Sequence, residues 1–202
     1  MKKILFIGFA IFLWNNSISQ TSENKWNVGL HFGTQEYSGD LGDEFFSFNQ
    51  FRAYGISFSK YLTPFWDLQG MVTANTFSPN DFPGMDKTQF LDINIMAKFK
   101  FNNGKWLSES SKFAPYLFIG FGDGITRADH YTDNTSNISV DVNMLAGLGF
   151  HFPINKNWGV DLKTKYSYLW NDNMDNSMDV NDIEDQALMT TIGVTYTFNS
   201  FK

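Results

Sequence analysis

Cysteine is absent from the chain of 202 residues, which removes disulfide frameworks and thiolate metal sites. Positive charge is in deficit too: the formal net charge is −6 and no basic stripe occurs, so nucleic acid is not an expected partner. Long apolar runs are lacking except at the start, where Ile4 to Trp14 is uninterrupted. That run falls short of the ~20 residues a spanning helix needs. Lys2 and Lys3 precede it and the small residues Ser17 and Ser19 follow, just before Gln20. Residues 1–19 therefore read as a cleaved secretory signal peptide, leaving 20–202 as one exported domain. No cysteine stands at the cleavage point, so a lipoprotein anchor is not expected.

Aromatic residues are abundant at 18%, with 22 Phe, 8 Tyr and 6 Trp, as in chains that carry interfacial aromatic belts. The second feature is alternation. From Ala187 to Phe198, residues Leu188, Ile192, Val194, Tyr196 and Phe198 share one face, and Met189, Thr191, Gly193, Thr195 and Thr197 the other. An ordinary strand averages ~5–6 residues, whereas ~9–11 cross a bilayer at a tilt. The same pattern predicts strands over Trp26–Tyr37, Phe51–Leu62, Trp66–Phe77, Phe90–Phe101, Pro115–Arg127, Val140–Phe152 and Trp158–Trp170. An even number of strands closes an up-and-down barrel without open edges. The expected fold is all-β, an eight-stranded antiparallel up-and-down transmembrane β-barrel.

The predicted connections alternate in character. Leu62–Phe65 and Pro153–Asn157 are short, and Asn102–Ala114 is longer. Ser38–Gln50, Ser78–Gln89, Ala128–Ser139 and Asn171–Gln186 are long and polar, matching short periplasmic turns and long extracellular loops. This threading gathers Trp26, Trp66, Trp158, Tyr196 and Phe198, with Phe58, Phe101 and Phe152, at the short-turn end as an aromatic girdle. Tyr166, Tyr168 and Trp170 belong to the opposite girdle. Which face is wet follows from the polar set. It holds many glycines, which suit a narrow lumen rather than a solvated strand surface. It also holds charges of both signs: Asp67, Asp92, Asp141 and Asp161 with Lys98, Lys100, Lys163 and Lys165. Buried in a lumen, these are expected to pair and plug it.

Several stretches carry a family resemblance: Asn24–Leu30, Lys60–Trp66, Phe113–Phe118, Asn155–Asp161 and Ile192–Phe198. Together they resemble the N-terminal transmembrane barrel of the OmpA family, in its Bacteroidetes form, and Tyr37–Leu41 is similar to a segment common in small outer-membrane proteins of that phylum. The resemblance implies residence in the bacterial outer membrane among lipids and lipopolysaccharide. It also implies insertion by the barrel-assembly machinery, with Gly193, Tyr196 and Phe198 as the terminal assembly signal. The peptidoglycan-binding domain of longer relatives is not expected, because the chain stops after the barrel.

Chemistry is sparse. Asp172, Asp175, Asp179, Asp182, Glu184 and Asp185 crowd the last long connection, but they lack the ligand spacing and central glycine of a calcium loop. They read as a solvated acidic surface, and no metal or other cofactor is expected. Asp129 and His130 with Ser136 or Ser139 offer a catalytic set only by proximity in sequence, so no enzymatic activity is expected. His31 and His151 fall on the lumen face, where pairing with a carboxylate is the expected role. The function that follows is a small, monomeric outer-membrane barrel with a structural or surface-interaction role, serving envelope integrity or adhesion through its loops. A narrow or gated pore is the first alternative. A soluble lipocalin-like carrier with the faces inverted is the second.

Overall fold

The computed structural model describes residues 25–39, 42–43, 52–77, 87–130, 135–170 and 186–199. The signal peptide, most of the long connections and the acidic cluster at 172–185 lie outside the described residues. One sheet of nine strands runs through the chain, and one of these is a two-residue ladder, Gly42–Asp43, folded against the end of the first strand. The other strands are β1 (Trp26–Gly39), β2 (Ala53–Tyr61), β3 (Trp66–Phe77), β4 (Lys87–Lys100), β5 (Ala114–His130), β6 (Thr135–Pro153), β7 (Trp158–Leu169) and β8 (Gln186–Phe198). Each pairs antiparallel with its sequence neighbour, and β1 pairs with β8 from Trp26↔Phe198 to Ser38↔Gln186. The sheet is a closed eight-stranded barrel with no free edge along that seam.

Side chains obey period two, and the two faces are the reverse of a soluble barrel. Leu30, Tyr54, Ile119 and Phe121 point outward, each 63–64% exposed, whereas Lys163 and Lys165 point inward at 1% and 2%. Among the described residues no layer of protein covers the outward apolar band. It suits hydrocarbon, which solvates such side chains without loss. The lipocalin-like alternative fails here, because it needs the apolar set to line the interior.

Several strands run farther on the long-loop side than the alternation predicts. The segment Ala128–Ser139, expected as a loop, is mostly ladder: β5 continues to His130 and β6 starts at Thr135, with Asp129↔Ser136 and His130↔Thr135 paired. Likewise β4 begins at Lys87, three residues before its predicted start, and pairs with Asp129. The cause is physical. Above the bilayer no apolar outward face is required, so the period-two signal fades while backbone hydrogen bonding still favours the ladder.

On the other side, three connections share one construction. The side-chain oxygen of Thr63 accepts from the N–H groups of Phe65 and Trp66 at 3.2 and 3.0 Å. Asn155 Oδ1 does the same for Asn157 and Trp158 at 2.9 Å each. Asn103 Oδ1 accepts from Lys105 and Trp106 at 3.0 and 3.2 Å. These Asx- and hydroxyl-capped turns each deliver a tryptophan three residues on. In the longer connection Gly104 takes a φ of 80°, a left-handed conformation that glycine adopts without strain.

Candidate functional site

Chemically capable side chains converge in the lumen. Asp67 and Gln69 enter from β3, Asp92, Lys98 and Lys100 from β4, and Tyr116 and Phe118 from β5. Asp141, Asn143 and His151 come from β6, and Asp161, Lys163 and Lys165 from β7. A buried charge left alone would cost several kcal/mol, and the register brings most of these into contact. Lys100 Nζ lies 2.6 Å from Asp67 Oδ1. Lys163 Nζ lies 3.4 Å from Asp161 Oδ2 and donates to Gln69 Oε1 at 3.0 Å. Lys165 pairs with Asp92, which also accepts from Asn143 Nδ2 at 2.8 Å. Asp161 is the hub: the Tyr116 hydroxyl donates to its two oxygens at 3.0 and 2.8 Å, and His151 Nδ1 stands 3.8 Å away.

One of the expected lumen lysines departs from simple ion pairing. Lys98 has no carboxylate at ion-pair distance among the described residues; its ammonium sits 3.9 Å from the centroid of the Tyr116 ring, a cation–π contact in a desolvated setting. Asp141 accepts from the Ser139 hydroxyl at 3.2 Å. His31 also differs from expectation. Its Nε2 meets Ser57 Oγ at 2.8 Å rather than a carboxylate, because Ser57 projects from the adjacent strand one diagonal away.

The sequence reading missed the apolar part of the filling. Ala53, Met71, Met96, Tyr116, Phe118, Leu145 and Met189 form a buried cluster inside the barrel. Unbranched methionines fit the irregular space left between ion pairs. The inward glycines are their complement. A Cβ on Gly149 would stand 2.3 Å from Tyr116 Cζ, one on Gly147 2.4 Å from Phe118 Cζ, and one on Gly193 2.3 Å from His31 Nδ1. In each case the glycine is the register partner of the ring that lies over it. A large inward ring opposite a glycine on the neighbouring strand was the available signal, readable only once the register is known.

One small cavity lies among these charges. The cavity bounded by Asp67, Lys98, Lys100, Asn102, Tyr116 and Asp161 has about 20 Å³ open to the centre of a water molecule, room for roughly one or two waters. Asn102, buried, lines it from the longer connection. Among the described residues no three His, Asp or Glu side chains gather as metal ligands. The side chains of Asp129, His130 and Ser136 lie outside what is described, and the backbone places these residues in the β5–β6 ladder.

The residues expected in the aromatic girdle pack as linked pairs outside the short-turn end. Trp26 stacks on Phe58 at 5.0 Å between centroids, Trp66 meets Phe99 edge-on at 5.0 Å, and Trp158 meets Tyr196 at 4.9 Å. Tyr196 stacks in turn on Phe198 at 6.2 Å. Trp106 and Phe113, both in the longer connection, join them through Phe99 and Phe152. Gly193 faces inward under His31, while Tyr196 faces outward.

This geometry agrees with what known proteins show. The family described as "Outer membrane protein beta-barrel domain" matches residues 8–198. The chain belongs to that outer-membrane β-barrel family. Its barrel is similar to that of Neisserial surface protein A, at 16% identity and a TM-score of 0.59, covering 86% of this chain and 97% of the other. The N-terminal β-barrel domain of Pseudomonas aeruginosa OprF shares 14% identity and a TM-score of 0.52, over 87% and 98% of the two chains. A major outer membrane protein from Thermus thermophilus shares 14% identity and a TM-score of 0.54, over 86% and 99%. At these identities the likeness is one of fold. No curated protein matches the sequence.

Proposed function

We propose that this protein is a structural and surface-interaction barrel of the bacterial outer membrane whose lumen is closed to solutes. The observation that carries this reading is the packed interior. Buried ion pairs, a Met- and ring-rich cluster and a cavity of only about 20 Å³ among the charges support a closed lumen, and a diffusion channel needs a wider frame of ~16 strands. Activity then resides outside the lumen. The extracellular connections meet lipopolysaccharide and external surfaces, and the barrel itself ties the envelope together as a monomer. Residues 1–19 serve as the cleaved export signal. Gly193, Tyr196 and Phe198 act as the terminal signal for the barrel-assembly machinery. Trp26, Trp66, Trp158, Tyr196 and Phe198 hold the periplasmic interface, where amphipathic rings are favoured.

Deleting the gene and complementing it with either the full barrel or a form with shortened extracellular connections tests this role. Deletion is expected to increase detergent sensitivity and reduce surface adhesion. The shortened form is expected to restore the first and not the second. A deletion strain that loses only uptake of small solutes would contradict the reading and favour a pore.

A further inference from the structure

The part of the lumen nearest the short turns holds more positive charge than its carboxylates balance. Lys100 takes Asp67 and Lys163 takes Asp161, which leaves the buried ammonium of Lys98 over. The Tyr116 ring attracts that ammonium but cancels none of its charge. The remaining lumen carboxylates are taken or distant. Asp92 pairs with Lys165. Asp141 is the register partner of Gly124, six residues farther along β5 than Phe118, the partner of Lys98, or about 20 Å at ~3.3 Å per residue. Glu109, in the longer connection, is half-exposed and does not line the cavity beside Lys98. Protonation of His151, which does line it, would add to the positive excess.

That cavity, about 20 Å³, is also lined by Asn27, Asn102 and Thr195. Thr195 is 3% exposed, and its hydroxyl has no hydrogen-bond partner among the described residues, an uncommon state for a buried polar group. Asn27 Nδ2 donates one N–H to Thr197 Oγ1 at 2.9 Å and has a second to give. An ammonium without a counter-ion and an unpaired hydroxyl thus border a hollow of one or two waters. We propose that this hollow is a site for a monatomic anion, a halide such as chloride. Lys98 Nζ supplies the counter-charge, and the Thr195 hydroxyl donates to the ion in a charge-assisted hydrogen bond. Asp67 and Asp161 line the same cavity, but each already faces its own lysine, so the ion meets a net positive wall. Asn102 and Ala114 place the site at the short-turn, periplasmic end. It is a pocket near the mouth, and halide binding there is independent of conduction through the barrel.

Crystals of the unaltered barrel grown in sodium bromide, measured at the bromine absorption edge, test the site directly. An anomalous peak within hydrogen-bond reach of Lys98 Nζ and Thr195 Oγ1 is expected. Thermal unfolding of the barrel in detergent gives a second readout, with sodium chloride replacing sodium sulfate at constant ionic strength. The midpoint is expected to rise with chloride, as for any ligand of the folded state, because sulfate is too large for a space of one or two waters. Lys98→Met is expected to weaken the chloride response about tenfold or more, the range of one charge-assisted contact. Lys156→Met, at an exposed turn lysine, is expected to keep it. A cavity without an anomalous peak at saturating bromide, holding water alone, would overturn the proposal even if Lys98→Met failed to fold. An unchanged chloride response in folded Lys98→Met would overturn it as well.

Discussion

Asp161 and Leu162 are adjacent on β7 and live in different media. Asp161 faces a lumen where Tyr116, Lys163 and His151 converge on its two oxygens. Leu162 faces outward, 39% exposed, into a solvent of acyl chains that moulds itself to whatever shape is offered. The inner face is thus specified contact by contact, as in a protein core. The outer face is specified only by polarity. Substitutions should separate the two faces by kind: the interior responds to shape and partner, the exterior to charge.

The largest effect is expected inside. Asp161→Ala strands Lys163 and the Tyr116 hydroxyl in the buried lumen, and losing one member of a buried pair costs about 3–5 kcal/mol. Urea unfolding in lipid vesicles, followed by tryptophan emission, would read it. Leu162→Ala in the same assay is expected to shift the midpoint far less. Equal shifts would break the distinction between the faces.

Outside, only charge should matter strongly. Val194 lies within the outward band, paired with Leu30 and Val160. Val194→Lys is expected to cost about 2–4 kcal/mol, while Val194→Leu stays near zero in the same unfolding measurement. A comparable loss from both would mean that the outer face is shape-specific after all.

The ring-over-glycine pairs sharpen the account of the interior. Gly149→Ala forces a methyl against the Tyr116 ring and is expected to cost about 1–3 kcal/mol by overpacking. In a cycle with Tyr116→Leu, the double variant is expected to lose less than the sum of the singles. Strict additivity would show that the ring does not occupy that space. The smallest effect belongs to the turns. Asn103→Ala removes the acceptor for Lys105 and Trp106 and should lower stability by about 0.5–1.5 kcal/mol. Asn155→Ala should match it in thermal unfolding, because the two turns share one construction. A neutral result at both positions would show that the capping oxygens add nothing to the turns.

This division also explains what the sequence disclosed. Alternation located every strand within the band, because lipid enforces period two wherever the wall crosses hydrocarbon. Trp66–Phe77 was legible to the residue. The same rule failed above the band, where Ala128–His130 and Thr135–Ser139 keep their ladder although their sequence does not alternate. The charges of the lumen stood out because lysine and aspartate are conspicuous in a membrane wall. Their partners did not, since Lys98 over Tyr116 and Lys165 with Asp92 depend on register across separate strands. Met71, Met96, Phe118 and Met189 stayed hidden for the opposite reason: an apolar residue on the polar face reads as noise until the narrow lumen is seen to need filling. Thr63, Asn103 and Asn155, each three residues before a tryptophan, formed a repeat that the length of Asn102–Ala114 disguised.

The most direct test of the central claim is conductance of the purified, refolded barrel in planar lipid bilayers. A lumen closed by paired charges and packed rings predicts a flat current trace, with no resolved steps across the voltage range the bilayer withstands. Stable, reproducible steps from the unaltered barrel would contradict it: the interior contacts would have to part to form a water file, and a gated pore would replace the closed barrel.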